Sequence, residues 1–490
     1  LDVIEQLAWG REWQIVYFKH PPLPAWIVES VAVATGRWPP AQYLVGPLCS
    51  ALALIAIWRL GCRLLGQQRA LLAVLAQEGV LYFTFFTPEF NHNVVLLPLW
   101  AWLGLAAHGA FFAAAPSWPG SARPSTPSRE QDTDGRHRAD RDDLVRGTGY
   151  WALLGALAAL GMLGKYTTAL LLFALFAFAV LHPDVRRCWR GLGPWLALAV
   201  GALALLPHLL GLWQIDFTPL LFPFERAPGP SHWYDHIVNP LLFSAAQFGD
   251  VAAALLAIAL LMWQRPGEAV AILRTRALPP DQRAYLATIT WAPVGLAIAT
   301  SLILGLHLKD MWGYPMWCFI GLFLVAELRG PFSREATRRL LVAVCVILIA
   351  TPVVFAAQQS VGGGFVRKPL RSAFPGRELA AVVEQRWHAA TGRPLGIVTG
   401  DVWLAGNIAF YGADRPSVFI DADPTKSPWI TPQALAREGA VLIWFATEPA
   451  PAWLAQFPAA RPQPPIELPY VPALGHEPAR LAWAILWPAS

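Results

Sequence analysis

The sequence predicts an α-helical polytopic membrane protein that carries a small α/β domain outside the membrane. Of its 490 residues, 56% are hydrophobic and only 14% are charged, a balance that is atypical of a soluble domain. Apolar stretches recur at lengths able to cross about 30 Å of hydrocarbon, and the loops between them carry most of the charge. After residue 358 the pattern changes to short helix and strand segments.

Ten apolar stretches are predicted to span the membrane, because each is rich in Leu, Ala, Val and Phe and contains few charges. Together they define a transmembrane domain over residues 1–357, followed by an external domain over residues 358–490. The predicted spans are 41–63, 69–87, 92–115, 149–164, 166–182, 192–213, 237–263, 286–306, 311–328 and 338–357.

The distribution of basic residues predicts the orientation, because cytoplasmic loops collect Lys and Arg. Arginine-rich loops alternate with loops that hold few basic residues. The first set is therefore predicted to be cytoplasmic, and residues 1–40 and the tail after 358 to lie outside. A chain that starts outside at Leu1 predicts one preceding helix, and so eleven spans in the intact protein. The arginine-rich loops lie around residues 59–69, 123–146, 186–190, 265–283 and 329–339.

Two further segments stand out between and after the spans. Residues 116–148 are polar, proline-containing and mixed in charge, which predicts a flexible cytoplasmic loop. In the tail, Asp401 follows a strand pattern and is predicted to cap a helix. The tail is predicted to contain a helix at Gly376–Thr391 and strands at Leu395–Thr399, Ser417–Ile420, Ala440–Phe445 and Leu481–Leu486.

The net charge of +5 arises mostly from the inner loops, so it favours contact with anionic membrane lipids. No zinc-finger or aromatic-basic nucleic-acid motif occurs, and no nucleic-acid partner is predicted.

The most informative segment is Tyr17-Phe18-Lys19-His20-Pro21-Pro22-Leu23-Pro24-Ala25-Trp26. Proline suits the first turn of a helix, so the two prolines after His20 predict a helix start. A helix N-terminus flanked by two basic side chains suits a phosphate group. The alternative is a proline turn beside ordinary charged loop residues.

The predicted topology gathers most of the unexplained polar residues on the outer face. Ionisable groups at the membrane boundary are costly unless they pair or contact water, so their gathering predicts a functional site. Ordinary interfacial anchoring is the alternative, above all for Trp312. Besides Lys19 and His20, the candidates are Asp2, Glu5, Asn93, Lys165, Arg226, Lys309 and Trp312.

External carboxylates and cations beside a bilayer suit group transfer from a lipid-linked phosphate. An acid takes the proton from an acceptor hydroxyl, and cations stabilise the charge that develops on the departing phosphate. Asp2 and Glu5 are the candidate catalytic residues. No cofactor is predicted, and a divalent metal away from the Lys19-His20 motif is left open as an alternative.

The chain resembles the bacterial GT-C glycosyltransferases, in the group of the protein O-mannosyltransferases and the aminoarabinose transferases. The resemblance lies in an acid in the first external loop, at Asp2, followed by Tyr17-Phe18-Lys19-His20-Pro21-Pro22-Leu23. The segments Gly164-Lys165-Tyr166 and Lys309–Pro315 are also similar. The resemblance implies a polyprenyl-phosphate sugar donor, an extracytoplasmic acceptor, the bacterial inner membrane and Asp2 as the catalytic carboxylate.

The chain departs from that group at three positions. Lys19 stands where some relatives carry a metal-binding acid, so no metal is predicted at the Lys19-His20 motif. Asn93 stands where many relatives carry an aspartate, which leaves more of the acid-base work to Asp2. Val3 stands where relatives often carry a second acid, for which Glu5 is a possible replacement.

The sequence therefore predicts a membrane glycosyltransferase that uses a polyprenyl-phosphate sugar. The first alternative is a transporter or flippase of a lipid-linked or anionic substrate, although transporters tend to keep charges near the bilayer midplane and often contain inverted repeats. A non-catalytic scaffold that binds envelope partners through its tail is the second alternative.

Overall fold

The computed structural model describes residues 2–112, 133–227, 229–263, 278–328, 332–366 and 368–489, with the backbone alone for 133–146. Helices dominate up to residue 360, and a mixed sheet follows. The α-helices are α1 Asp2–Gly10, α2 Leu23–Ala34, α3 Pro39–Leu65, α4 Gln67–Gln77, α5 Leu81–Thr84, α6 His92–Phe112, α7 Thr133–Gly164, α8 Thr168–Leu181, α9 Gly193–Gln214, α10 Thr218–Arg226, α11 Asp235–Met262, α12 Pro280–Leu304, α13 Ile320–Glu327, α14 Arg334–Ser360, α15 Gly376–Thr391, α16 Val402–Tyr411 and α17 Pro432–Glu438.

Seven helices among the described residues are long and apolar enough to cross a membrane. They are α3, α6, the part of α7 from Gly147 to Gly164, α9, α11, α12 and α14. The predicted fold class, a polytopic helical membrane protein with a small C-terminal sheet, is confirmed.

Three of the ten predicted spans are short or broken helices. The predicted span 69–87 forms α4 and α5 with a break at Gly79, where a Cβ would lie 2.4 Å from the backbone nitrogen of Ala254. The predicted span 311–328 begins with two 3-10 turns around Pro315, which lacks a backbone N–H, before α13 begins. The predicted span 166–182 forms α8, whose 14 residues fall short of the roughly 20 that a straight crossing needs.

The predicted flexible loop at 116–148 is partly wrong. Helix α7 begins at Thr133, so the second half of that segment is helical. Residues 116–132 lie outside the described residues. The charges of this segment kept its mean hydropathy low, but Asp, Arg and Glu residues do not prevent helix formation.

The C-terminal sheet has six strands in the order β2-β1-β3-β6-β4, and β5 pairs with β6. Strand β1 is parallel to both β2 and β3, whereas β6 is antiparallel to β3. The predicted helix and four predicted strands are confirmed within two residues, but β4 and β5 were missed because they contain only two and three residues. The strands are β1 Ile397–Gly400, β2 Ser417–Ile420, β3 Ala440–Phe445, β4 Arg461–Pro462, β5 Ile466–Leu468 and β6 Ala479–Leu486.

The N-terminal helix and the C-terminal sheet share a hydrophobic core. Trp9 and Tyr17 are buried in the same cluster as Val398 of β1 and Val441 of β3. The ring planes of Trp9 and Tyr17 stack with centroids 5.1 Å apart, and the Tyr17 hydroxyl donates a hydrogen bond to the Trp9 carbonyl at 2.7 Å. The first helix is therefore held against the last domain of the chain.

Candidate active site

Two glycines fix the position of α1, which carries both candidate catalytic acids. A Cβ on Gly10 would lie 2.4 Å from the carbonyl oxygen of Ala25 in α2, and a Cβ on Gly406 of α16 would lie 2.6 Å from Ile4. Only glycine permits such close contacts, with backbone at Gly10 and with the Ile4 side chain at Gly406, without a shift. Helix α1 is therefore clamped between α2 and α16, with Asp2 and Glu5 in its first turn.

Glu5 forms an ion pair with Lys19 of the Tyr-Phe-Lys-His motif. The Lys19 ammonium lies 3.0 Å from each carboxylate oxygen of Glu5. Burial raises the pKa of Glu5, and the neighbouring Lys19 charge opposes that rise. The carboxylate of Glu5 is thus engaged by a cation from the same chain, whereas the Asp2 side chain is exposed.

A pair of imidazoles lies next to this ion pair. The ring centroids of His20 and His92 are 4.1 Å apart, and Gln6 Nε2 lies 3.5 Å from His92 Nδ1. Burial lowers the pKa of His20 well below its ordinary value, and the neighbouring His92 lowers it further. His20 is therefore neutral at pH 7, and it can donate a hydrogen bond to a phosphate without contributing a positive charge.

Lys165 brings three of the predicted residues together. This buried lysine lies in the turn between α7 and α8, and its ammonium donates a hydrogen bond of 2.5 Å to Asn93 Oδ1. The same ammonium lies 5.7 Å from the ring centroid of Trp312. Burial lowers the pKa of Lys165 to about 7, and the negative charge of Asp2 partly opposes the effect. Asp2 is therefore within electrostatic range of Lys165.

Helix α10 approaches the motif from the other side. Its Phe222 ring lies 5.3 Å from the Lys19 ammonium and 5.2 Å from the His20 ring. Arg226, in the last turn of the same helix, is exposed, and its charge contributes to the lowered pKa of His20. The structure therefore brings Arg226 towards the cluster.

Lys309 is the predicted residue that joins the cluster least. It precedes the 3-10 turn at Asp310–Trp312, and its side chain is half-buried. Among the described residues, no hydrogen bond, ion pair or ring contact joins the Lys309 ammonium to the cluster.

Sequence reasoning missed three neutral residues of the site: Tyr82, Gln6 and Phe222. The Tyr82 hydroxyl accepts a hydrogen bond of 3.0 Å from Asn91 Nδ2, and its ring stacks on that of Tyr314 at 3.7 Å between centroids. None of the three missed residues is charged and each lies in a helix, so the sequence offers no signal that separates them from ordinary packing residues.

The arrangement combines an exposed carboxylate with three donors, of which Arg226 is exposed and Lys165 is buried. Asp2 is open to a substrate, while Lys165, His20 and Arg226 supply one titratable cation, one neutral N–H donor and one permanent cation. Within the described part of the chain, no group of three or more His, Cys, Asp or Glu side chains could hold a metal ion. The three donors suit an anionic ligand, and Asp2 beside them can accept a proton.

Comparisons with known proteins give a partial family match and a similar fold. The family model described as dolichyl-phosphate-mannose-protein mannosyltransferase matches residues 19–119 and 144–211. No curated protein matches the chain by sequence.

Among solved structures, the crystal structure of ArnT from Cupriavidus metallidurans bound to undecaprenyl phosphate is similar, with a TM-score of 0.57 and 14% identity. That match covers 99% of this chain and 92% of the other. The apo state of the same protein covers the same shares, with 13% identity and a TM-score of 0.40, which is too low to support an argument about the fold. The partial family match and the ArnT-like fold confirm the resemblance of this chain to the GT-C glycosyltransferases of the protein O-mannosyltransferase and aminoarabinose transferase group.

Proposed function

We propose that this protein transfers a sugar from a polyprenyl-phosphate-linked donor to an extracytoplasmic acceptor, which is a lipid, a glycan or a protein. The observation that carries the proposal is Lys165, a buried lysine that contacts Asn93 and Trp312 and whose charge is within electrostatic range of Asp2. A buried cation without a full counter-charge, near an exposed acid, suits a reaction in which Asp2 takes a proton and Lys165 faces a phosphate.

The proposed chemistry is a single displacement. The acceptor hydroxyl loses its proton to an oxygen of Asp2 while the hydroxyl oxygen bonds to the anomeric carbon. The bond between that carbon and the phosphate oxygen breaks, and the electron pair leaves with the lipid phosphate. Lys165, His20 and Arg226 stabilise the developing charge, as preorganised donors do in a site that excludes water.

The remaining residues have supporting roles in this proposal. Glu5 holds Lys19 in place through both of its carboxylate oxygens, so we assign catalysis to Asp2 and positioning to Glu5. Lys19 and Lys309 are weaker candidates for binding the phosphate. Lys19 is already paired with Glu5, and Lys309 lies beside the cluster without contacting it among the described residues. Asn93 and Trp312 orient the Lys165 ammonium.

The proposed setting is the bacterial inner membrane, with the active site and the domain at residues 358–490 on the periplasmic side. The exposed apolar residues of α9 and α14 support contact with lipid, and the arginine-rich loops support the orientation. The ArnT crystal structure that this fold resembles contains undecaprenyl phosphate, which supports a polyprenyl-phosphate-linked donor.

The test is transfer in proteoliposomes that contain the full chain, a polyprenyl-phosphate donor with a radiolabelled sugar, and extracted envelope lipids and glycans as acceptors. Formation of a labelled acceptor is expected with the wild-type protein and not with Asp2→Asn. Movement of the labelled donor across the bilayer without a glycosylated product would instead indicate a transporter or flippase. Equal transfer by Asp2→Asn would remove Asp2 from the mechanism.

A further inference from the structure

The C-terminal sheet contains a topological switch point. Strand β1 lies between β2 and β3, and all three are parallel. The chain leaves β1 through α16 towards β2 on one side, and it leaves β3 towards β4 on the other side. The two connections therefore diverge at the carboxyl ends of β1 and β3. Open α/β sheets bind ligands at such a point.

A cavity opens at this place. Its volume is about 490 Å³, within the range of small-molecule sites. Asp401 follows β1 directly, Trp403 lies in the first turn of α16, Phe445 ends β3 and Glu448 follows it. We call this space, with Arg371 on its rim, the switch-point cavity.

Aromatic side chains form one wall of the switch-point cavity. The ring centroid of Phe374 lies 5.5 Å from that of Trp403, 6.4 Å from that of Phe445 and 6.3 Å from that of Tyr470. All four side chains are half-buried, so each keeps part of its surface open. Half-buried aromatic rings that share a cavity offer flat apolar faces to a ligand.

The charged groups of the cavity are of both signs. Asp401 and Glu448 are exposed carboxylates, and Lys368 and Arg371 are exposed cations, with the Arg371 guanidinium 5.7 Å from the Trp403 ring centroid. An anionic ligand would meet the two carboxylates, and a cationic ligand would meet Lys368 and Arg371. A neutral ligand with many hydroxyl groups satisfies both sets, because hydroxyls both donate and accept hydrogen bonds.

We propose that the switch-point cavity binds a neutral sugar ring, the carbohydrate part of the acceptor. The apolar C–H face of the ring packs on Trp403, while its hydroxyls donate to Asp401 and Glu448 and accept from Arg371. The assignment to the acceptor rests on the proposed glycosyltransferase function, whereas binding of the sugar can be measured without it.

Helix α16 connects this cavity to the active site. Trp403 lies at its start, and Gly406, one turn later, packs against Ile4 of α1. The same α1 carries Asp2. A sugar bound at the start of α16 is therefore held by an element that directly supports the catalytic helix.

The experiment is direct binding of the full-length protein in nanodiscs to an array of neutral oligosaccharides, uronic-acid oligosaccharides and sugar phosphates. Neutral oligosaccharides are expected to bind. Trp403→Ala and Glu448→Gln are expected to weaken binding at least tenfold. Glu477→Gln, which changes an exposed glutamate outside the cavity, is expected to bind as the wild type does. Glu448→Gln provides the test that does not depend on folding, because Glu448 is exposed and Trp403 is part of a packed cluster.

Three results would overturn the proposal: no binding of neutral oligosaccharides, binding of charged sugars alone, or equal affinity of Glu448→Gln and Glu477→Gln. Asp2→Asn separates this proposal from the proposed function, because it should bind oligosaccharides normally while failing to transfer sugar. Oligosaccharide binding without any transfer by the wild type would leave the sugar site standing and reject the glycosyltransferase function.

Discussion

The active-site cluster around α1 and the switch-point cavity use charge in opposite ways. In the cluster Glu5 and Lys165 are buried and contact partners within the chain, Lys19 and Asn93 respectively, whereas Asp2 and Arg226 are exposed. In the cavity Asp401, Glu448 and Arg371 are exposed around aromatic side chains. A buried charge without a partner is expensive, so the cluster must be preorganised by the fold, whereas the cavity can leave its polar groups to a ligand. In the two proposals, the cluster carries out the chemistry and the cavity binds the acceptor sugar.

The largest effect is expected from Asp2→Asn, which tests whether chemistry is confined to the cluster. Loss of a general base typically costs about 10²–10⁴-fold in rate, and we expect kcat to fall by that factor. The measurement is sugar transfer in proteoliposomes. The control Glu225→Gln removes another exposed carboxylate, from α10, and should retain full activity. A similar loss in both variants would mean that the assay reports general damage.

The next effect concerns stability and the pairing inside the cluster. Glu5→Gln leaves the largely buried Lys19 ammonium without its carboxylate, and we expect a loss of about 1.5–3 kcal/mol in the free energy of unfolding. The double variant Glu5→Gln with Lys19→Met should recover much of that loss, because no charge is then left unpaired. The measurement is denaturant unfolding in detergent micelles. If the double variant lost as much free energy of unfolding as the two single variants together, Glu5 and Lys19 would not form a direct pair.

The next prediction is a loss of activity with rising pH, caused by the titration of Lys165. Its pKa of about 7 lies below the ordinary lysine value of 10.5, so the charged form that faces phosphate is present below pH 7 and is lost as the pH rises. Above pH 7, kcat/KM for the donor should therefore fall about tenfold per pH unit. Lys165→Gln should be less active and should lose this pH dependence. An unchanged profile in Lys165→Gln would assign the titration to another group.

The smallest effect tests the link between the two regions. Gly406→Ala would place a Cβ 2.6 Å from Ile4, and we expect overpacking to cost about 1 kcal/mol of stability and to lower kcat by displacing α1. Adding Ile4→Ala, which removes the clashing atom, should restore kcat. Gly249→Ala, in α11 with open space around its Cβ, is the matched control and should be neutral or stabilising. Normal activity in Gly406→Ala alone would show that α1 does not depend on this contact.

The parts of the structure that could be predicted from sequence are those with a local signal. Strands β2 and β3 match their predicted bounds, because turn residues flank short runs of β-branched and aromatic residues, and Asp401 caps α16 as predicted. For Lys165, Asn93 and Trp312 the sequence predicted only a position on the same face of the membrane. Their direct contacts were not predicted.

The remaining features depend on contacts between distant parts of the chain. The Glu5 and Lys19 pair requires the turn in which Tyr17 folds back on Trp9, and no periodicity predicts that turn. The break at Gly79 is caused by the close approach of α11, which hydropathy does not register. The switch-point cavity follows from strand order, which a single sequence leaves undetermined.

The clamp on α1 also has a consequence for the timing of folding. Ile4 and Gly406 are far apart in the sequence, yet they are in direct contact. During synthesis the ribosome releases α1 long before it makes α16, and loop closure over such a distance is slow. Helix α1 is therefore held in place only after α16 has been made. In the proposed mechanism, a chain stopped before α16 would carry Asp2 without this support, so activity would require the synthesis of α16.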